Sequence, residues 1–317
     1  MLTDLERSRI MLDIAIIGGG PAGVTAGIYA ARAGLKATVF ERASVGGQII
    51  STHLMENYPA FPEGISGVDF AENLKKQADR FGVEFRGENI TGIRQETGYR
   101  VLVTEEGEIE SRALIIASGA QPRKLNIPNE DRFTGEGISY CATCDGAFFR
   151  ERTVCVVGGG DTALEDALYL SNVAEKVYLI HRRSEFRAQS VLVKRAENAP
   201  NIEFLLNKVP VGFYGDFGLD GIELKDTQTG EQTKLDVDGC FLAVGYVPDT
   251  EMLRGIVQLD PYGYIIADED TKTGAKGIFA AGDVRTKKVR QVVTAVSDGA
   301  AAALAAREFI EETISGG

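Results

Sequence analysis

Two cysteines, three positions apart, carry the most reactive chemistry that this sequence offers. The segment CATCDG contains Cys141 and Cys144, and Asp145 follows directly. In a Cys-X-X-Cys pair the pKa of one thiol falls, and because the thiolate is the nucleophile, the pair can cycle between dithiol and disulfide. Asp145 is either the acid/base for the thiol proton or a turn residue before Gly146. The favoured hypothesis is a redox couple.

A zinc site and an accidental pair are the alternatives for these two cysteines. A closed structural zinc site needs four ligands, usually from paired motifs. The other cysteines, Cys155 and Cys240, stand alone in apolar stretches, where we expect buried small hydrophobic side chains. The only histidines are His53 and His181, so a histidine-rich metal site is excluded. We predict no metal, and we favour the dithiol/disulfide couple over the accidental pair.

A glycine motif occurs twice, at an offset of 140 residues. IAIIGGGPAG spans 14–23 and VCVVGGGDTA spans 154–163. Each copy predicts strand, glycine turn, helix and second strand, the context in which G-x-G-x-x-G indicates a dinucleotide site. The first glycine permits the tight turn, the second lets the backbone approach a pyrophosphate, and the third lets helix and strand pack closely. The positions are Gly18, Gly20 and Gly23 in the first copy, and Gly158, Gly160 and Ala163 (in place of the third glycine) in the second.

The two copies differ at the end of their second strand. Glu41 ends the first, and a carboxylate there accepts hydrogen bonds from ribose hydroxyls. The ungapped equivalent is His181, which begins HRRSEFR and precedes the arginines Arg182, Arg183 and Arg187. Guanidinium groups bind a 2′-phosphate through bidentate contacts, so the first copy suits FAD or NAD and the second suits NADP(H). The alternative is that HRRSEFR is only a solvated charged edge.

The elements around these motifs predict an α/β chain of two Rossmann-like dinucleotide-binding domains, the second inserted in the first. Apolar strands that end in Gly and Pro close the two units at 113–122 and 239–250. The chain that follows is too short for a third domain. A buried strand at 277–284 and a final helix at 297–312 would therefore return to complete the first domain.

The predicted domain boundaries follow from this insertion. Residues 1–121 and 248–317 would form the first domain, and residues 122–247 the second. Two short connectors, near 119–124 and 245–250, would join the domains and can act as a hinge.

The composition excludes several classes of protein. The 317 residues suggest about two domains at roughly 150 residues each. Asp and Glu outnumber Lys and Arg by 46 to 34, a formal charge of −12, which argues against nucleic-acid binding. No apolar run approaches the roughly 18 residues of a membrane span. The acidic N-terminus argues against a signal peptide, and Met11 could be an alternative start. The small number of cysteines, four, favours a cytoplasmic protein over a disulfide scaffold.

Two nucleotide sites and a redox dithiol require a cofactor that links them. Nicotinamide delivers hydride in two-electron units, and a disulfide accepts two electrons and two protons. A flavin connects these two chemistries, which favours FAD over NAD at the Glu41 site. The expected cofactors are therefore FAD and NADPH.

From about Met11 onward, the sequence resembles the low-molecular-weight bacterial and archaeal thioredoxin reductases. The motifs that carry the resemblance begin with IIGGGPAG, GGQ at 46–48, ENYPAF at 56–61, ASGA at 117–120 and CATCDG. They continue with GGGDTALEDALYLSN, HRRSEFRA, AVGYVPDT, FAAGDV and RQVVTA at 290–295. The resemblance implies a homodimer that reduces thioredoxin with NADPH and FAD, its NADPH domain and dithiol inserted in a discontinuous FAD domain.

The resemblance also implies a role for each matching residue. Cys144 would face the flavin and form a transient adduct with it, Cys141 would exchange with the substrate disulfide, and Asp145 would be the acid/base. In addition to the glycines of the first motif, the FAD site would use Glu41, Gly47, Gln48, Asn57, Gly119, Asp283, Arg290, Gln291 and Val292. The NADPH site would use Gly158, Gly160, Asp161, Thr162, His181, Arg182, Arg183 and Arg187. Rotation at the hinge would bring the disulfide and the nicotinamide to the flavin in turn.

Two residues depart from the family pattern. Asp161 stands where many relatives have a neutral residue, and a carboxylate beside a pyrophosphate slightly disfavours nicotinamide binding. Val292 stands where alanine is usual, which changes only side-chain bulk if the backbone N–H is the contact.

Two alternative functions stay open: a reductase of another disulfide protein, and a non-catalytic redox sensor. The loops that would recognise the substrate carry no motif, so the identity of a thioredoxin-like partner is left open.

Overall fold

The computed structural model describes residues 11–52 and 54–315. The segment ahead of Met11 and His53, both considered above, lie outside the described residues. The chain divides into two compact units, one formed by Met1–Gln121 with Val247–Gly317 and the other by Pro122–Tyr246. The second unit therefore interrupts the first along the sequence.

Each sheet, except the pair of short strands at the unit boundary, lies within a single unit. In chain order the described strands are β1 (Leu12–Ile17), β2 (Ala37–Phe40), β3 (Glu84–Arg86), β4 (Ile90–Gln95), β5 (Arg100–Thr104), β6 (Gly107–Ile116), β7 (Ala120–Pro122), β8 (Ile138–Ser139), β9 (Thr153–Gly158), β10 (Lys176–His181), β11 (Ile202–Leu206), β12 (Lys208–Tyr214), β13 (Gly221–Asp226), β14 (Gln232–Asp236), β15 (Gly239–Ala243), β16 (Tyr246–Pro248) and β17 (Ile278–Ala280).

The described helices range from a single turn to 24 residues. The α-helices are α1 (Pro21–Arg32), α2 (Gly67–Arg80), α3 (Glu130–Phe133), α4 (Ala142–Asp145), α5 (Asp161–Leu170), α6 (Ser190–Glu197) and α7 (Val292–Ser315). Short 3₁₀ helices occur at Gly47–Ser51, Gly146–Phe149, Glu251–Leu253 and Gly282–Val284. Across residues 11–52 and 54–315, no helix is both long and apolar enough to cross a membrane.

A seven-stranded mixed sheet forms the centre of the first unit. Its strand order is β3-β2-β1-β6-β5-β4, and β17 pairs with β6. β1 is apolar on both faces because both are covered: Ile14 and Ile16 join one core, and Leu12, Ala15 and Ile17 join another. β2 and β6 run parallel to β1, and β17 runs parallel to β6. The carboxyl ends of β1, β2, β6 and β17 therefore lie at one edge of the sheet.

Small residues let α7 pack closely on α1 in the first unit. The α7 run GAAAALAA includes Ala302, Ala303 and Ala306, which are buried. Gly299 lies so close to α1 that a Cβ atom there would overlap the carbonyl oxygen of Ala22. This contact fixes the first turn of α1 and therefore the glycine turn that precedes it.

A five-stranded parallel sheet, in the order β11-β10-β9-β15-β8, forms the centre of the second unit. β12, β13 and β14 make a separate antiparallel sheet. The succession β9, α5 and β10 repeats that of β1, α1 and β2, as the two glycine motifs predict. Cys155 on β9 and Cys240 on β15 are register partners, and both are fully buried, which confirms the prediction for these two side chains.

The chain crosses between the units at two short segments. β7 and β16 lie at these crossings and pair with each other. A glycine stands beside each, Gly119 at φ +71° and Gly245 at φ +103°. Glycine adopts such positive φ values without strain, so each crossing contains a residue of high conformational freedom.

The structure differs from the sequence prediction in three places. The predicted strand 277–284 is a strand only over Ile278–Ala280, because a 3₁₀ helix turns the chain at Gly282–Val284. The final helix begins at Val292 rather than at 297, since the hydroxyl of Thr294 accepts the N–H of Gln291 (3.2 Å) and caps the first turn. The antiparallel strands, among them β4, β5 and β12 to β14, have no counterpart in the prediction.

Candidate functional site

The first glycine turn has the geometry that each glycine role requires. Gly18 follows β1 at φ +104°, and a Cβ atom there would overlap the carbonyl oxygen of Ala117. A Cβ atom on Gly23 would overlap the carbonyl oxygen of Gly18. Gly20 is different, because no atom lies within 4 Å of a Cβ placed there. Packing therefore requires glycine at 18 and 23, whereas Gly20 leaves its backbone open to a ligand.

Glu41 closes the loop between β2 and this turn. Its Oε2 atom accepts the N–H of Gly19 at 2.7 Å, and its Oε1 atom accepts the N–H of Ala43 at 2.8 Å. Each carboxylate oxygen has two lone pairs, so both can still accept a hydroxyl. The carboxylate is thus held beside the glycine turn with acceptor capacity left for a ribose.

The loop after β2 brings Gly47 and Gln48 to the same turn. The N–H of Gly46 donates to the carbonyl of Gly19 at 2.8 Å. Gly47 has φ +59°, and a Cβ atom on it would lie 3.2 Å from Cα of Gly20. The side chain of Gln48 donates a hydrogen bond to the carbonyl oxygen of Ala120, the residue after Gly119. Glu41, Gly47 and Gln48 therefore gather with the first glycine turn at the carboxyl edge of the sheet.

Asp283 reaches this edge from the far end of the chain. It lies in the 3₁₀ helix after β17, and a Cβ atom on the preceding Gly282 would stand 2.9 Å from Cβ of Ala22 in α1. Its Oδ1 atom is buried and has no hydrogen-bond partner within 11–52 and 54–315. Burial raises the pKa of Asp283, and the charges of Lys287 and Arg290 oppose that shift. A buried acceptor without a partner fits a site whose ligand supplies a hydroxyl.

The predicted flavin-edge residues form a second group in the first unit. The guanidinium of Arg290 lies over the ring of Tyr264, 4.3 Å from its centroid. The Nδ2 amide of Asn57 donates to Oε1 of Gln291 at 3.1 Å, although 234 positions separate the two residues. Val292 is the first residue of α7. The structure thus joins Asn57 to the RQV segment, as a common site requires.

The second glycine turn is packed in the same way, within the second unit. A Cβ atom on Gly158 would stand 2.6 Å from the carbonyl oxygen of Ala243 and from Cβ of Ala163, the residue in place of the third glycine. Gly160 has no atom within 4 Å of a placed Cβ. The turn before α5 therefore exposes its backbone at the position that matches Gly20.

His181 and the arginines after it have different surroundings. The His181 side chain is buried, with 6% of its surface exposed, and a Cβ atom on Gly159 would overlap its ring. Burial lowers the pKa of His181, so at neutral pH the ring is uncharged; it stacks on Phe186 and its Nε2 atom contacts the carbonyl of Glu185 at 3.1 Å. By contrast, the exposed residues of this loop include Arg182, Arg183 and Arg187.

The arginine loop is tied to the glycine turn at two points. The backbone N–H of Arg187 donates to the carbonyl of Gly159 at 2.8 Å. The carboxylate of Asp161 accepts the backbone N–H of Gln189 at 2.8 Å and its side-chain amide at 3.0 Å. These bonds hold the pKa of Asp161 below its usual value. Asp161 therefore links the first turn of α5, where Thr162 is exposed, to the loop that carries the cations.

Cys141 and Cys144 are joined in a disulfide across the single turn of α4. The N–H groups of Cys144 and Asp145 both donate to the carbonyl of Cys141 at 3.2 Å, which forms the turn. Both cysteines are half-buried. The structure therefore contains the disulfide that the predicted dithiol/disulfide couple requires.

Asp145 is held by Ser139, a residue that the sequence did not single out. The Ser139 hydroxyl donates to Oδ2 of Asp145 at 2.6 Å and accepts the N–H of Cys141 at 3.0 Å. Burial raises the pKa of Asp145, and the Ser139 hydrogen bond partly offsets that shift. A carboxyl group with a raised pKa, next to a redox disulfide, is suited to hold and release a proton.

Comparisons with known proteins agree with this chemistry. Residues 12–299 match the family described as pyridine nucleotide-disulphide oxidoreductase. The chain belongs to that family. A thioredoxin reductase of Mycolicibacterium smegmatis is 44% identical over 309 residues, which cover 97% of this chain and 99% of the relative.

A second relative and a solved structure support the same membership. A bifunctional thioredoxin reductase/thioredoxin of Mycobacterium leprae (strain TN) is 42% identical over 302 residues, which cover 95% of this chain and 66% of that relative. The crystal structure of thioredoxin reductase from Streptococcus pyogenes MGAS5005 superposes with a TM-score of 0.91 at 40% identity, covering 95% of this chain and 99% of that one. These matches confirm the predicted fold class, the oxidoreductase class and the resemblance to thioredoxin reductases.

Proposed function

We propose that this protein is an NADPH-dependent thioredoxin-disulfide reductase with FAD as its resident cofactor. The observation that carries the proposal is the Cys141–Cys144 disulfide, set beside the half-buried carboxyl group of Asp145 in a chain with two open glycine turns. Thioredoxin as the substrate is supported by relatives that are named thioredoxin reductases, one of which also carries thioredoxin in its name.

The first unit fits FAD. The open backbone at Gly20, the remaining acceptor capacity of Glu41 and the unpartnered Oδ1 atom of Asp283 match a pyrophosphate and hydroxyl groups. When bound, FAD passes the electron pair of a nicotinamide hydride to a disulfide. The residues that would hold it are Gly18, Gly20, Gly23, Glu41, Gly47, Gln48, Asn57, Gly119, Asp283, Arg290, Gln291 and Val292.

The second unit fits NADPH. Exposed arginines on the loop after β10 would bind the 2′-phosphate, and the open backbone at Gly160 would receive the pyrophosphate. His181 would act through packing, because its ring is buried and uncharged. The residues of the site would be Gly158, Gly160, Asp161, Thr162, His181, Arg182, Arg183 and Arg187.

The thiol chemistry would use Cys141 and Cys144, with Asp145 and Ser139 beside them. The Cys141 thiolate attacks one sulfur of the thioredoxin disulfide, which breaks that bond and forms a mixed disulfide. The Cys144 thiolate then attacks Sγ of Cys141, which releases dithiol thioredoxin and restores the Cys141–Cys144 disulfide. Asp145 takes and returns the thiol protons, and Ser139 holds its carboxyl group in place.

The domain roles, assembly and location are part of the proposal. Residues 1–121 and 248–317 would be the FAD domain, and residues 122–247 the NADPH domain, with the two crossings as the hinge. A homodimer in the cytoplasm would follow from the resemblance to thioredoxin reductases. Cys155 and Cys240 would take no part in turnover, because both are fully buried.

The test is steady-state oxidation of NADPH, and separately of NADH, by FAD-loaded protein with and without thioredoxin. Rapid oxidation of NADPH that requires thioredoxin, with little oxidation of NADH, is the expected result. If NADPH reduces the protein once and thioredoxin gives no turnover, the substrate is another disulfide protein or the chain is a sensor. If neither nucleotide reduces the bound FAD, the NADPH assignment is wrong.

A further inference from the structure

A buried cluster of charges surrounds Asp298, a residue of α7 outside every motif of the sequence. Its carboxylate accepts hydrogen bonds from the N–H of Gly282 at 2.9 Å and from Nε and Nη2 of Arg285, each at 2.8 Å. It also accepts one from Nζ of Lys287 at 2.8 Å. The side chains of Asp298 and Lys287 are each only 9% exposed. One carboxylate therefore binds two cations and the backbone of the 3₁₀ helix that contains Asp283.

Asp283 lies next to this cluster and is not part of its hydrogen bonding. Its Oδ1 atom is buried without a partner in the described parts of the chain, although the charge of Lys287 acts on it. Hydrogen bonds from Arg285 and Lys287 outweigh the effect of burial and hold the pKa of Asp298 below its usual value. Of two neighbouring carboxylates, one is fully paired and the other is left with acceptor capacity.

Lys287 has a physical reason to pair with one carboxylate or the other. A buried ammonium group without a partner is strongly unfavourable, and lysine has a long, flexible side chain. Arg285 and Lys287 each have a second contact, to the carbonyl oxygens of Asp268 and Thr294, both at 3.4 Å. Of these two cations, Lys287 is the one whose charge acts on Asp283. If Asp298 lost its charge, Asp283 would still be a carboxylate on which the charge of Lys287 acts.

We propose that Asp298 is a positioning residue for FAD binding: by holding Lys287, it keeps the carboxylate of Asp283 available to a hydroxyl group of the nucleotide. The inference rests on the proposed function, in which Asp283 contacts FAD. Asp298 itself touches no ligand. It acts through the ammonium group that would otherwise neutralise Asp283.

The test is FAD binding to apoprotein, measured by the change in flavin fluorescence, for a set of four variants. Asp298→Asn keeps an oxygen that can accept the N–H of Gly282, removes the charge and replaces the second acceptor oxygen with an NH2 group. We expect it to bind FAD about tenfold more weakly, the size of one charge-assisted hydrogen bond. Asp298→Asn/Lys287→Met removes the competing ammonium as well, and we expect it to bind FAD within about threefold of Lys287→Met alone. Glu308→Gln, an exposed carboxylate of the same helix, is the matched control.

Three results would separate the possibilities. If Asp298→Asn binds FAD as tightly as the parent protein, the inference is wrong. It is also wrong if the double variant binds as weakly as Asp298→Asn, because Asp298 would then act by folding the turn and not by holding Lys287. If the parent protein itself does not bind FAD, the proposed function fails instead.

Discussion

The Ser139 hydroxyl donates a 2.6 Å hydrogen bond to Oδ2 of Asp145, six residues along the chain. The oxygen of the Ser139 hydroxyl also accepts the N–H of Cys141 at 3.0 Å, so one hydroxyl links the carboxyl group to the backbone of the disulfide turn. The position of Ser139 at the end of β8 fixes this link, because that strand is paired with β15 in the sheet. The carboxyl group therefore has a defined place relative to the redox pair.

Replacing Ser139 with alanine should change the pH profile of thioredoxin reduction. The hydrogen bond stabilises the ionised carboxylate, so its loss raises the pKa of Asp145 further. The titration of this group in the profile should then move to higher pH. We expect turnover to fall about tenfold, less than the hundredfold or more that accompanies loss of the acid/base itself.

Ser139→Thr is the control, because threonine keeps the hydroxyl and suits a strand. It should restore both the pH profile and most of the turnover. An alanine variant with the parent profile would show that the titrating group is not Asp145.

The arginine loop gives a prediction about the choice of nucleotide. In Arg182→Ala/Arg183→Ala, the KM for NADPH should rise at least about tenfold, because charge-assisted contacts to the 2′-phosphate are lost. The KM for NADH, which lacks that phosphate, should change little. Lys194→Ala, which removes an exposed cation on the following helix, is the control for a general loss of positive charge. Equal effects on both nucleotides would contradict the assignment of the phosphate site.

The parts of the site that sequence could predict are those with local causes. Gly23 is required by an atom five residues away, and Cys141 and Cys144 belong to one turn, so short motifs contain the information. Gln189 and Asp298 act through contacts 28 and 16 residues distant, at positions where nothing in the residue type indicates a role. These contacts depend on how the elements pack.

His181 shows a second limit of prediction from sequence: a matching position in the repeat did not predict what the side chain contacts. Its place in the repeat matches that of Glu41, which indicates a ligand-binding position. The structure gives the two side chains different surroundings: Glu41 bonds to backbone N–H groups, whereas the His181 ring fills the space beside Gly159. A shared position in a repeat predicts the backbone path, but the size and polarity of each side chain decide what it contacts.

A half-buried carboxyl group on α5 makes the stability of the protein depend on pH. Burial, with a smaller contribution from the charge of Glu165, raises the pKa of Asp166 to about 7. Because this value lies above that of the unfolded chain, the folded state favours the protonated form, and stability falls as pH rises toward 7. Asp166→Asn removes the group that must ionise and should therefore stabilise the protein most at alkaline pH.

The size of this effect follows from the shift. Between pH 5.5 and 8.5, the gain in free energy of unfolding for Asp166→Asn over the parent should grow by about 2 kcal/mol, since one pKa unit is worth about 1.4 kcal/mol. Urea unfolding at the two pH values measures it. Glu165→Gln, which removes the smaller contribution, should give a weaker change of the same sign. A gain that is independent of pH would mean that Asp166 does not titrate in this range.

The glycines of the first turn separate a ligand contact from a packing contact. A Cβ atom on Gly20 meets no atom within 4 Å, so Gly20→Ala should fold like the parent protein but bind FAD about tenfold more weakly, because the methyl group occupies the approach of the phosphate. A Cβ atom on Gly23 overlaps the carbonyl oxygen of Gly18, so Gly23→Ala should lower the free energy of unfolding by about 2 kcal/mol or more. Urea unfolding and FAD titration of the two variants would distinguish these roles. Parent-like FAD affinity in Gly20→Ala would place the phosphate elsewhere, whereas parent-like stability in Gly23→Ala would contradict the packing role.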